Sequence, residues 1–147
     1  MKYICFFSLL WLSMLVFGCS SAKKVDVVID ESKYPGFTKT SSGLYFKDIK
    51  EGTGDYLIRG KKVKLHYHGK LENGKIFDSS VDRNQPLEFV YGDLNFIKGF
   101  NEALTTIRVG GKKILVIHPD IGYGAKDKEK IPPYSILIFE IEVLSQE

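Results

Sequence analysis

The sequence predicts an α+β domain, an antiparallel β-sheet curled around one short α-helix. Past Ser42 the chain is dominated by runs that alternate apolar and polar residues, the period of a half-buried strand. One segment breaks that period: in FIKGFNEALTTI, residues 96–107, Ile97, Phe100, Leu104 and Ile107 recur at helical spacing. This helix is short and Gly99 weakens it, so it holds only if its apolar face packs on the sheet. The balance of 21 Lys+Arg against 18 Asp+Glu, dispersed along 147 residues, excludes nucleic acid as the expected partner.

Taken in order, residues 1–18 have the layout of a secretory signal peptide. Lys2 gives a positive start, an apolar run extends from Ile4 to Phe17, and the small Gly18 precedes Cys19. The run is short for a transmembrane span. VFGC is similar to the bacterial lipoprotein signal, which implies that Cys19 is acylated and becomes the mature N-terminus, although Val16 and Phe17 depart from the usual residues there. Several acyl chains on one residue would hold the protein to a cell-envelope membrane. Cys5 and Trp11 leave with the signal, so the mature domain has neither a disulfide nor a tryptophan. Residues 19–42 read as the lipidated N-terminus and a polar linker. The linker has room for one short ordered piece around its apolar patch of Val25, Val27, Val28 and Ile29.

The domain proper is expected over residues 43–147. GLYFKDIKEGTG is a strand closed by a Gly-Thr-Gly turn. In KKVKLHYHG, Val63, Leu65 and Tyr67 share one face, opposite Lys62, Lys64, His66 and His68. ENGK carries an Asn-Gly hairpin signal. PLEFVYG, GGKKILVIHP and SILIFEIEVL supply further strands, the last with Leu137, Phe139, Ile141 and Val143 on one face.

Several aromatic and apolar residues fall where a plain sheet core does not require them: Tyr67, Phe77, Phe96, Ile97, Phe100, Tyr123, Ile131 and Phe139. Each alone reads as core; only the set suggests a pocket for a small apolar ligand or side chain. Asp78, followed by Ser79 and Ser80, reads by itself as a turn cap. His66 and His68 form an H-x-H with too few local partners for a metal, so no metal is expected.

The blocks VKLHYHGKLENGKIFDSS, DRNQPLEFVYG, FIKGFNEAL, VGGKKILVIHPDIGYGA and IPPYSILIFEIEVL, in this order, resemble the FKBP family of peptidyl-prolyl cis/trans isomerases over nearly all of residues 44–144. The resemblance implies a cofactor-free isomerase acting on proline-containing polypeptides, here to assist the folding of exported proteins. It implies catalytic roles for Asp78, Tyr123 and the Ile97 N–H. Tyr67, Phe77, Phe89, Phe96, Phe100, Ile131 and Phe139 would bind substrate, with Phe100 as the floor and Phe89 close behind. Asp78 would be held by Arg83 or Tyr67. Three positions depart from the family pattern: Phe100 stands where Trp is usual, Leu87 where an aromatic wall is usual, and Phe96 where Val is usual. The loop 120–135 would be a lid, here charged and short at AKDKEK. These changes imply weak macrolide binding and keep open an alternative, a membrane-tethered peptide-binding chaperone module with little catalysis.

Overall fold

The computed structural model describes residues 25–93 and 96–147; the signal-peptide and Cys19 assignments lie outside the described residues. Among the described residues seven strands form one antiparallel sheet: β1 (Thr38–Lys39), β2 (Tyr45–Lys50), β3 (Lys62–Leu71), β4 (Ile76–Ser79), β5 (Leu87–Val90), β6 (Lys112–Ile117) and β7 (Leu137–Gln146). The order is β1-β2-β6-β7-β3-β4, with β5 also on β3. One long strand, β3, therefore carries β7 along one side and shares its other side between β5 at Lys62–Leu65 and β4 further along. The helix α1 (Lys98–Leu104) lies against the sheet, as the α+β expectation requires.

The alternation in the sequence sets which side chains enter the core. Val63 and Leu65 of β3 and Leu137, Phe139, Ile141 and Val143 of β7 point to the helix side and are buried. Phe100, Ala103 and Leu104 of α1 meet them. Gly99, which costs the helix intrinsic stability, is the point of closest approach: a Cβ there would stand 2.9 Å from Ile117 Cγ2. At ENGK the chain turns back as a hairpin, with Gly74 at φ +86° and its N–H donating to the Leu71 carbonyl at 2.9 Å. That is a type I turn followed by a left-handed glycine, one of the common hairpin solutions.

The apolar run ILVI in β6 does not alternate, because this strand is covered on both faces. Leu115 and Ile117 join the main core, and Val116 joins a second cluster with Tyr45, Ile136 and Ile29 on the outer face. Val27, Tyr34 and Phe37 pack onto that cluster, and His118 Nε2 meets the Val27 carbonyl at 2.8 Å. Part of the stretch read as linker is thus a cover over the back of the sheet, with Val25 and Val28 left exposed.

Candidate active site

Between the curled sheet, α1 and the 123–134 segment lies a cavity of about 580 Å³, a size that suits a small ligand or a few side chains. Its interior is a chain of aromatic rings. Phe139, central on β7, has its ring centroid 5.4 Å from both Phe77 and Phe100 and 6.5 Å from Tyr67. Phe96 continues the chain at 5.1 Å from Phe100. Phe100 is 4% exposed and comes from the first turn of α1, so the packing that stabilises the helix also fixes the cavity base. Two of these four pairs are edge-to-face and two are tilted, arrangements that aromatic rings favour over a face-to-face sandwich.

Strand alternation would send Phe77 and Asp78 to opposite faces, yet both line the cavity. A β-bulge resolves this. Asp78 pairs with Gly69 and Ile76 pairs with Lys70, so Phe77 is the extra residue. The two consecutive side chains therefore sit together over Gly69. Only glycine fits there: a Cβ would lie 2.6 Å from the Phe77 ring and 3.0 Å from the Phe139 ring.

Asp78 Oδ2 accepts a hydrogen bond from the Tyr67 hydroxyl at 2.5 Å, and Oδ1 pairs with the Arg83 guanidinium. Arg83 Nη2 also donates to the Tyr67 hydroxyl oxygen at 2.9 Å, which closes a triangle. Burial pushes the Asp78 carboxyl up, but the Tyr67 and Arg83 hydrogen bonds and the Arg83 charge outweigh it and hold it below the usual aspartate value. Burial, reinforced by the neighbouring carboxylate, raises the Tyr67 phenol. Tyr67 thus stays a protonated donor and Asp78 an ionised acceptor. The turn cap is Ser79, whose Oγ accepts the Asp82 N–H at 3.1 Å. Ser80 Oγ holds the Tyr67 N–H at 2.8 Å, pinning the loop to β3. The His66 and His68 rings each meet a serine hydroxyl, Ser80 at 3.0 Å and Ser79 at 3.1 Å.

The 123–134 segment closes the mouth. Its base is tied by the Tyr134 N–H to the Gly124 carbonyl at 2.7 Å. At its tip, Lys128 and Ile131 exchange two backbone hydrogen bonds, forming a miniature hairpin. Pro132 confines Ile131 to extended backbone. Ile131 is buried against the cavity while Lys128, Glu129 and Lys130 rim it. Tyr123 lines the cavity beneath the Lys128 ammonium, which lies 5.6 Å from its ring centre. Neither the Tyr123 hydroxyl nor the Ile97 N–H donates a hydrogen bond to another described residue.

Tyr67, Phe77, Asp78, Phe96, Ile97, Phe100, Tyr123, Ile131 and Phe139 all line the one cavity. Phe89 does not: it is buried behind Phe96, with ring centroids 5.0 Å apart, because it lies further along β5 than Leu87, which does line the cavity. It stands behind the cavity wall, as the expectation that it lies close behind Phe100 also has it. Gly69 carries no chemical signal in the sequence, and Ser80 reads there only as part of the turn after Asp78. Among the described residues no group of three His, Cys, Asp or Glu side chains is placed to hold a metal.

The family description "FKBP-type peptidyl-prolyl cis-trans isomerase" matches residues 55–144. A Haemophilus influenzae protein named "Probable FKBP-type peptidyl-prolyl cis-trans isomerase" is 49% identical over 106 residues, 71% of this chain and 43% of that protein. An "FK506-binding protein" of Neisseria meningitidis serogroup B is 46% identical over 103 residues, 69% of this chain and 94% of that protein. The crystal structure of FkpA from Escherichia coli superposes with a TM-score of 0.71 at 36% identity, covering 79% of this chain and 54% of that one. The chain thus spans about half the length of two of these relatives and nearly all of the third. Matched in sequence across the domain and in fold around this cavity, the chain belongs to the FKBP-type peptidyl-prolyl cis-trans isomerase family.

Proposed function

We propose that this FKBP-type isomerase rotates X–Pro bonds of exported polypeptides while tethered to a cell-envelope membrane through lipid on Cys19. The observation that carries the catalytic part is the pairing of an aromatic cavity with two donors, the Tyr123 hydroxyl and the Ile97 N–H, that have no partner among the described residues. Rotation about an amide costs about 18–20 kcal/mol because the twisted state loses resonance. The planar amide is strongly dipolar and well solvated by water, and the twisted amide less so. Transfer into an apolar cavity therefore disfavours the planar state relative to the twisted one. Donors fixed to suit the twisted carbonyl add differential binding. No nucleophile or base is needed. Asp78 acts here by holding the wall residue Tyr67, with Arg83 bracing the pair, and its ionised state keeps that wall in place at neutral pH.

Tyr123→Phe tests this. One neutral hydrogen bond contributes about 0.5–1.5 kcal/mol, so kcat/KM on an X–Pro peptide should fall about threefold to tenfold in a folded protein. An unchanged kcat/KM would remove Tyr123 from the chemistry.

The floor makes a separate forecast. Phe100 offers less area than Trp and no indole N–H, so rapamycin should bind this protein more weakly than family members with Trp at this position. Phe100→Trp should tighten it, read by tryptophan emission, since Trp11 is the only tryptophan of the chain and leaves with the signal. Equal or weaker affinity in the folded variant argues against Phe100 as the floor.

The anchor rests on the Gly18-Cys19 end of a short apolar run. Cys19→Ser should move the protein from the membrane fraction to the soluble fraction. A wild-type protein without lipid mass at Cys19 sinks the anchoring claim.

A further inference from the structure

A second hollow of about 290 Å³ adjoins the main cavity and shares Phe96, Ile97, Tyr123 and Lys128 with it. Its remaining lining is polar: Lys98 from the start of α1, Lys126 from the lid, Gly122 and Asp120. Lys98, Lys126 and Lys128 form no ion pair among the described residues, whereas Lys33, Lys39, Lys62, Lys64 and Lys112 each hold a carboxylate within 3 Å. Asp120, the one acid in the lining, has its carboxylate 3.8 Å from His118 Nδ1. Three lysines from two separate elements thus line a recess that opens beside the residues proposed to grip the X–Pro amide.

We propose that this hollow is a specificity subsite that takes an acidic side chain, Asp or Glu, of the client polypeptide next to the X–Pro pair. The inference rests on the isomerase reading of the main cavity. Its chemistry is plain. A carboxylate there meets three lysines that form no ion pair among the described residues, against the single carboxylate of Asp120, and a lysine there meets like charge. Exposed ion pairs each contribute little, so the preference comes from their sum and is screened by salt.

The test uses the full chain in detergent and neutral peptides sharing one X–Pro core. Glu, Ala or Lys is placed at each of the two positions on either side of that core. Both kcat/KM and peptide Kd are measured. At one of these positions Glu should be favoured over Lys by about threefold to tenfold in both quantities. The ratio should collapse toward one at about 1 M salt, where the Debye length is about 3 Å. The double variant Lys98→Gln, Lys126→Gln should lower the ratio in low salt. Turnover of the Ala peptides with equal kcat/KM and Kd for Glu and Lys at all four positions overturns the subsite and leaves the isomerase standing. A Glu preference in Kd without any turnover sinks the isomerase reading and keeps the subsite. A ratio that survives the double variant overturns the assignment to these lysines.

Discussion

Asp78→Ala is expected to lower kcat/KM about tenfold to thirtyfold with the fold retained. The carboxylate holds the Tyr67 hydroxyl at 2.5 Å and pairs with Arg83, so its loss frees the cavity side chain Tyr67 and the arginine that supports it. A hydrogen bond to a charged group contributes about 1.5–3 kcal/mol, and the lower part of that range applies because Asp78 is about half exposed. The loss should exceed that of Tyr123→Phe, where one neutral hydrogen bond goes. The same geometry fixes the pH profile. The Asp78 carboxyl is depressed in the folded protein, so its contribution is present in full above the ordinary aspartate pKa of about 3.9 and is lost as pH falls through the lower folded value. Activity should therefore stay level across the neutral range with respect to this group and decline only in acid. A kcat/KM for Asp78→Ala within twofold of wild type would mean that the triangle with Tyr67 and Arg83 does not shape the site.

Gly69→Ala should damage stability and activity together. The added methyl would sit 2.6 Å and 2.7 Å from Phe77 ring atoms and 3.0 Å from Phe139. Both rings are buried in the aromatic cluster, so neither can swing into solvent. Overpacking of this kind costs about 1–3 kcal/mol. In a domain near 100 residues that corresponds to a fall in Tm of roughly 5–20 °C. Because the displaced rings are cavity walls, peptide affinity should fall as well. An unchanged Tm would mean that the sheet relaxes at the bulge without strain.

Much of the fold was legible because burial on one face writes itself into alternation. Val63 and Leu65, or the four residues from Leu137 to Val143, could hardly be arranged otherwise. The short helix was legible for the same reason, at period 3.6. The cavity residues were harder to see. Phe100 and Phe139 are ordinary core residues by type, and only the resemblance of whole blocks set them apart from Leu104 or Ile141. The bulge that turns Phe77 and Asp78 to one side was invisible, since it inserts a residue without any mark in the sequence. Gly69 gave no sign either: its purpose appears only once two rings from other strands lie over it. The cover formed by Val27, Ile29, Tyr34 and Phe37 was hidden by polar surroundings, although the unbroken ILVI of β6 already implied that something covers that face.

The same cavity could hold proline-containing chains without turning them over, and the smaller Phe100 floor keeps that alternative in play. Binding data alone would not separate the two. The most direct measurement is the rate of cis/trans isomerisation of an X–Pro peptide with and without substoichiometric protein, alongside the affinity for the same peptide. Uncatalysed, this exchange takes tens to hundreds of seconds. The account predicts that catalytic amounts of the protein shorten it many-fold, and that Tyr123→Phe loses part of the acceleration. A peptide that binds the cavity yet isomerises no faster than in buffer would contradict the account and leave a binding module.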